Sequence, residues 1–150
     1  MILRIAAIVF LLSVFSVTAN ADGQMAYNYK PAKVVYDLTS TDPKIVGHIL
    51  DRASMLQNIY QNDSFEASIV FVVHEGAIPL FGNNDKNIQP QLMLRARSLS
   101  MGDIIQFRLC KASASLQGYT RNDIQDFVSM VPMADAEIVR LQQEGYAYLR

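Results

Sequence analysis

Ile69-Val-Phe-Val-Val73 is the stretch that most restricts the fold. An unbroken apolar, β-branched run cannot alternate between a core face and a wet one. The strand it forms, Ala67 to His74, is therefore covered on both sides. Such strands belong to parallel sheets, which need crossover helices on their faces.

The rest of the chain supplies those partners. Lys33 to Leu38 is a first strand. Thr41 or Asp42 then caps a helix with Pro43 at its first position. Val46, Ile49, Leu50, Ala53, Leu56 and Tyr60 recur at helical spacing to about Tyr60. Within that helix Gly47 is expected to mark close packing on the sheet and His48 to be solvated. Glu75 to Lys86 is rich in turn residues and reads as a long connection. A second helix from about Ile88 carries Leu92, Ala96 and Leu99 inward, with Gly102 placed as its C-cap.

Ile104 to Leu109 is a third strand that runs into a short helix, Ala112 to Leu116, closed by Gly118. Thr120 to Asp123 resembles a capping box for one turn. Asp126 to Val131 is a fourth strand, stopped by Pro132. Ala134 to Glu144 is a helix with Ile138 and Leu141 inward and Gly145 as its stop. Tyr146 to Leu149 is a short strand for a sheet edge, and Met130 and Met133 are expected to pack. The predicted fold class is α/β: one three-layer α/β/α sandwich with a mostly parallel sheet of about five strands and right-handed crossovers.

The first 21 residues are set apart from that domain. Arg4 precedes an apolar run from Ile5 to Val17, and Ala19-Asn20-Ala21 has the form of a cleavage site. The run is too short for a membrane span. The pattern predicts a signal peptide over 1–21, a mature domain over 22–150, a periplasmic or secreted location and no stable membrane insertion after cleavage. Loss of Arg4 with the leader takes the formal charge from −1 to −2. A near-neutral surface argues against nucleic acid or anionic lipid as a main partner.

Cys110 is the only cysteine, so no internal disulfide forms in the oxidising compartment that the leader implies. One cysteine and two distant histidines match no metal-ligand spacing, and no phosphate-binding glycine motif or nucleophile elbow occurs. The sequence therefore predicts neither cofactor nor metal. Cys110 lies between a strand and a helix start, where free N–H groups and Lys111 favour a thiolate. It is a working thiol, a small buried hydrophobe, or a partner in a bond to another chain or small thiol. Ligands of open parallel sheets bind at the carboxyl ends of the strands. Those ends also carry Asp37 and His74. His74 is either a base or hydrogen-bond partner for the thiol, or satisfies a loop carbonyl. Asp37 either orients a substrate or turns the chain, and Lys111 reads as a solvated helix-start residue.

Val34-Val-Tyr-Asp-Leu38, Ile69-Val-Phe-Val-Val-His-Glu-Gly76 and Cys110-Lys-Ala-Ser-Ala-Ser-Leu-Gln-Gly118, in that order and spacing, resemble the DsrE/DsrF-like family. Val131-Pro132 and the stretch from Ile138 to Tyr148 resemble its exported single-domain branch. The resemblance covers nearly all of the predicted mature chain. It implies a five-stranded α/β/α sandwich that assembles into homo- or hetero-oligomers. In the sulfur-relay members a cysteine at this junction carries sulfur as a persulfide, and Cys110 matches that position. Two functions follow as expectations. One is an exported sulfur carrier acting through Cys110, with a sulfur donor or acceptor protein or small thiol as partner and at most sulfurtransferase-like chemistry. The other is a non-catalytic binding or assembly module in which Cys110 is core. A thiol redox protein would need a resolving cysteine from elsewhere.

Overall fold

The computed structural model describes residues 29–83 and 89–150, so the predicted signal peptide lies outside the described residues. Five strands form one sheet: β1 (Ala32–Leu38), β2 (Ala67–Val73), β3 (Ile105–Cys110), β4 (Val128–Val131) and β5 (Ala147–Leu149). Their order is β4-β3-β2-β1-β5 and every pairing is parallel. The expected mostly parallel sheet is thus wholly parallel, and β5 lies at an edge. The helices are α1 (Pro43–Ile59), α2 (Pro90–Ser100), α3 (Lys111–Leu116) and α4 (Ala134–Gln143).

Strand order explains the layers. From β1 to β4 the chain steps always in one direction, and a right-handed crossover then returns to one face each time. The step from β4 back to β5 runs the other way, which places α4, alone among the described helices, on the opposite face. The two hydrophobic clusters follow this division. The larger joins Tyr36, Phe71 and Phe107 of the sheet with Val46, Leu50 and Ala53 of α1 and Met93 and Ala96 of α2. The smaller joins Val35, Val70, Val72 and Cys110 with Ala134, Ile138 and Leu141 of α4.

Register sets the aromatic centre of the larger cluster. Tyr36 pairs with Phe71, and Phe71 with Phe107. Their rings stack across three strands, with centroids 5.1 and 4.7 Å apart. Stacking of this kind adds about 0.5–1.5 kcal/mol per pair beyond area burial.

Local signals explain most element ends. Asp42, rather than Thr41, caps α1 by accepting from the Lys44 N–H at 2.8 Å. Thr120 and Asp123 make the expected capping box around a single 3-10 turn. Gly118 and Gly145 take φ of +81° and +90° just past α3 and α4, as C′ residues do.

Several expectations are corrected. Glu75 to Phe81 is not open connection: it is a 3-10 helix that buries Ala77, Ile78, Leu80 and Phe81. Its Phe81 ring tilts against Phe107 at 5.8 Å, so burial of these side chains outweighs the turn-forming tendency of Gly76 and Pro79. α2 begins at Pro90 and adds Met93 to the expected inward face, where Ala96 is buried and Leu92 and Leu99 pack against the core. Met101 ends it in right-handed geometry, without a left-handed glycine at 102. Gly47 faces Leu92 of α2 rather than the sheet, and a Cβ there would sit 3.8 Å from it, an ordinary contact. β4 starts at Val128, two residues later than expected. Met130 packs on the core, whereas Met133 is half exposed. His48 is exposed, as expected.

Candidate functional site

The carboxyl ends of the strands bring Cys110, His74 and Asp37 to one face of the sheet, the face that α4 covers. Cys110 is at once the last residue of β3 and the N-cap of α3, with φ −67° and ψ 113°. Its Sγ accepts from the Ser113 N–H and from the Ala134 N–H, each at 3.3 Å. Ala134 is the first residue of α4, and the residue before it, Met133, makes no side-chain cap. One sulfur therefore satisfies free N–H groups at the starts of two helices, the role usually taken by a serine or aspartate oxygen. The Ala112 N–H donates to the Pro132 carbonyl at 3.2 Å, which holds the two helix starts side by side. The residue is 4% exposed.

One strand away, His74 Nε2 lies 2.7 Å from Asp37 Oδ1, and both side chains are largely buried. The carboxylate can only accept, so Nε2 carries the proton of that bond. Nδ1 lies 4.0 Å from Glu75 Oε1, beyond hydrogen-bond reach, and the Glu75 side chain is 70% exposed. The other Asp37 oxygen, Oδ2, accepts from the Tyr148 hydroxyl at 2.5 Å. That hydrogen bond, partial burial and the carboxylate's charge hold the Tyr148 phenol above the ordinary tyrosine range.

β2 and β3 are in register through Val73 and Leu109. The next residues, His74 and Cys110, are both extended, so their Cα atoms lie about 5 Å apart on one face. Neither imidazole nitrogen bonds the sulfur. The link between them runs through Ser113: its N–H meets Cys110 Sγ while its Oγ accepts from the Glu75 N–H at 2.9 Å. Gln117 Nε2 adds a bond to the Glu75 carbonyl at 2.8 Å.

These bonds hold a tight corner. Glu75 adopts φ +49°, which costs a non-glycine residue about 1–2 kcal/mol. Gly76 then passes so close to the β1–α1 loop that a Cβ would fall 2.8 Å from the Thr39 carbonyl oxygen and 2.6 Å from Thr41 Cγ2.

Of the residues expected at the site, Asp37 and His74 are bonded to each other and Cys110 stands beside them. Lys111 is placed elsewhere: it is exposed and lines a pocket on the outer side of α3 with Ser115, Tyr119, Thr120, Arg121 and Met130. Tyr148, Ser113 and Ala134 were not foreseen. The spacing Cys110-x-x-Ser113 matches an N-cap and its third helical residue, a signal that was available. Tyr148 and Ala134 become visible only with the strand order. Among the described residues no group of three or more His, Cys, Asp or Glu side chains is placed to hold a metal ion. No described helix is long and apolar enough to cross a membrane.

Fold and site together define a class: a single α/β/α domain with a 4-3-2-1-5 parallel sheet, a thiol shared by two helix starts, and an Asp–His pair beside it. No family model matches the chain, and no curated protein does. Among solved structures, it is similar to a protein of unknown function from Methanobacterium thermoautotrophicum, with a TM-score of 0.64 and 21% identity. The match covers 79% of this chain and 98% of that one. At that identity the likeness extends to the fold.

Proposed function

We propose that this chain is an exported DsrE-like sulfur carrier in which Cys110 holds sulfur as a persulfide. The observation that carries the reading is the pair of main-chain N–H groups, from Ser113 and Ala134, aimed at one sulfur beside the Asp37–His74 pair. Fixed N–H donors stabilise charge that develops on sulfur, whether on the attacking thiolate or on the persulfide.

In the loading step the Cys110 thiolate attacks the sulfane sulfur of a hydropersulfide R–S–SH. The Cys110 S–S bond forms, the donor S–S bond breaks, and RS⁻ leaves to be protonated. Attack by an acceptor thiolate on the outer sulfur reverses the process, so no net oxidant is needed. The resemblance in the stretches around Asp37, His74 and Cys110 supports sulfur as the cargo. The same resemblance supports a homo-oligomer, and the apolar leader supports a periplasmic or secreted location.

The 4% exposure of Cys110 favours a second reading, a non-catalytic module in which the sulfur is only a helix cap within the core. Intact mass after exposure to polysulfide separates the two. The carrier reading expects a single reducible gain of about 32 Da per chain that Cys110→Ser abolishes. No gain, together with no alkylation of Cys110 in the folded protein, would leave the structural reading. Size-exclusion of the mature chain checks the oligomer, and a clean monomer counts against it. N-terminal sequencing of exported material checks the leader, for which a start near Asp22 is expected.

A further inference from the structure

Strands β2, β3 and β4 lie on one side of β1 and β5 on the other, so the order in which strands are added to the sheet reverses between β1 and β5. In open parallel sheets the crevice at such a reversal is where ligands sit. Asp37 of β1 and Tyr148 of β5 flank that crevice, and His74 follows β2 next to it. Both Asp37 oxygens are engaged, one by the ring and one by the phenol. A carboxylate held at only one oxygen can rotate and offer either to the ring. Held at both, it fixes the plane of the imidazole as well as its tautomer.

We propose that Tyr148 is a positioning residue for sulfur transfer at Cys110: by anchoring Asp37 it locks His74, one strand from Cys110, as the Nε2–H tautomer. This rests on the carrier reading. The thiolate that attacks is generated in this step from the Cys110 thiol. Nδ1 takes the thiol proton as the Cys110 S–S bond forms, and returns it to the RS⁻ released from R–S–SH. The products are the Cys110 persulfide and RSH, with His74 neutral again. Asp37 stabilises the transient imidazolium, and Tyr148 keeps that carboxylate from turning away.

The chain has two histidines, so the test is direct. In uniformly 15N-labelled protein at pH 8, long-range 1H–15N correlations report the His74 tautomer, with His48→Gln assigning the other ring. The wild type is expected to show Nε2–H alone. Asp37→Asn and Tyr148→Phe are expected to give mixed tautomers, and Tyr148→Phe to slow single-turnover loading by polysulfide about 10-fold at an unchanged half-saturating concentration. Tyr148 is 41% exposed and outside both core clusters, so removing its hydroxyl leaves the fold in place. A wild-type His74 that is Nδ1–H or doubly protonated would overturn the proposal. So would wild-type loading that Tyr148→Phe leaves unchanged. Wild-type protein that takes up no sulfur at all would instead be the failure of the carrier reading.

Discussion

Gly76→Ala puts a single methyl group into the corner that joins β2 to the β1–α1 loop. The new Cβ would lie 2.6 Å from Thr41 Cγ2, 2.8 Å from the Thr39 carbonyl oxygen and 3.5 Å from the Thr41 nitrogen. A backbone oxygen cannot swing aside as a side-chain tip can, so the loop itself must move. Overpacking of this kind costs about 2–3 kcal/mol. Replacing glycine by alanine restricts the unfolded chain and returns about 0.4–1 kcal/mol. The net loss is about 1–2.6 kcal/mol, which for a domain of this size lowers Tm by about 3–10 °C. Gly102→Ala is the control, because its Cβ would meet nothing within 4 Å and its backbone is not left-handed. That variant should melt at or slightly above the wild-type temperature. Thermal melts followed by circular dichroism on all three proteins decide the matter. A Gly76→Ala protein that melts within a degree or so of wild type would refute the close approach of the two loops.

Cys110→Ala leaves the Ser113 and Ala134 N–H groups without their acceptor, whereas Cys110→Ser restores one in a favoured cap residue. Urea unfolding should find alanine less stable than serine by about 1–3 kcal/mol, and equal stability would mean that the sulfur caps neither helix. Glu137 is held below the ordinary glutamate range first by its bond from Arg140 and then by Arg108. A carboxyl depressed in the folded state contributes stability that is present above its unfolded pKa and lost as pH falls through its folded value. Glu137→Gln should therefore be less stable than wild type by about 1–3 kcal/mol at neutral pH, with the gap closing below about pH 4. A gap that persists unchanged to strongly acid pH would show that the pairing with the two arginines is not what Glu137 contributes.

How far the sequence leads depends on whether the deciding contact is local. The unalternating run of β2, the cap and proline of α1, and Gly118 and Gly145 after their helices all act within a few residues, and each has its expected role in the fold. The 3-10 helix Glu75–Phe81 escaped because Gly76 and Pro79 look like turn residues. Its apolar members are spaced for a three-residue turn that sequence periodicity seldom signals. At Cys110 the strand-to-helix junction was legible, and so was the shared edge with Asp37 and His74. The second helix start at Ala134 was not, because it depends on Pro132 lying against Ala112. Tyr148 depends on something still less local, the return of the chain across the sheet to pair β5 with β1.

The uneven cover of the sheet has a consequence for dynamics. One face carries α1, α2 and the 3-10 helix. Among the described residues the other carries α4 alone, secured by Ala134, Ile138 and Leu141, the Cys110 sulfur and the Arg108–Glu137 ion pair. β5, three residues long, hangs from the same helix. Cooperative units with few buried contacts open at the lowest free energy, so the segment from Met133 to Arg150 is expected to detach first under native conditions. That detachment lifts Ala134 off the sulfur and Tyr148 off Asp37 in a single event. Amide exchange at Ala134 and along β5 should then share one opening free energy, and alkylation of Cys110 should report the same equilibrium. Access to Cys110, a residue 4% exposed in the closed fold, should thus follow the stability of the segment from Met133 to Arg150.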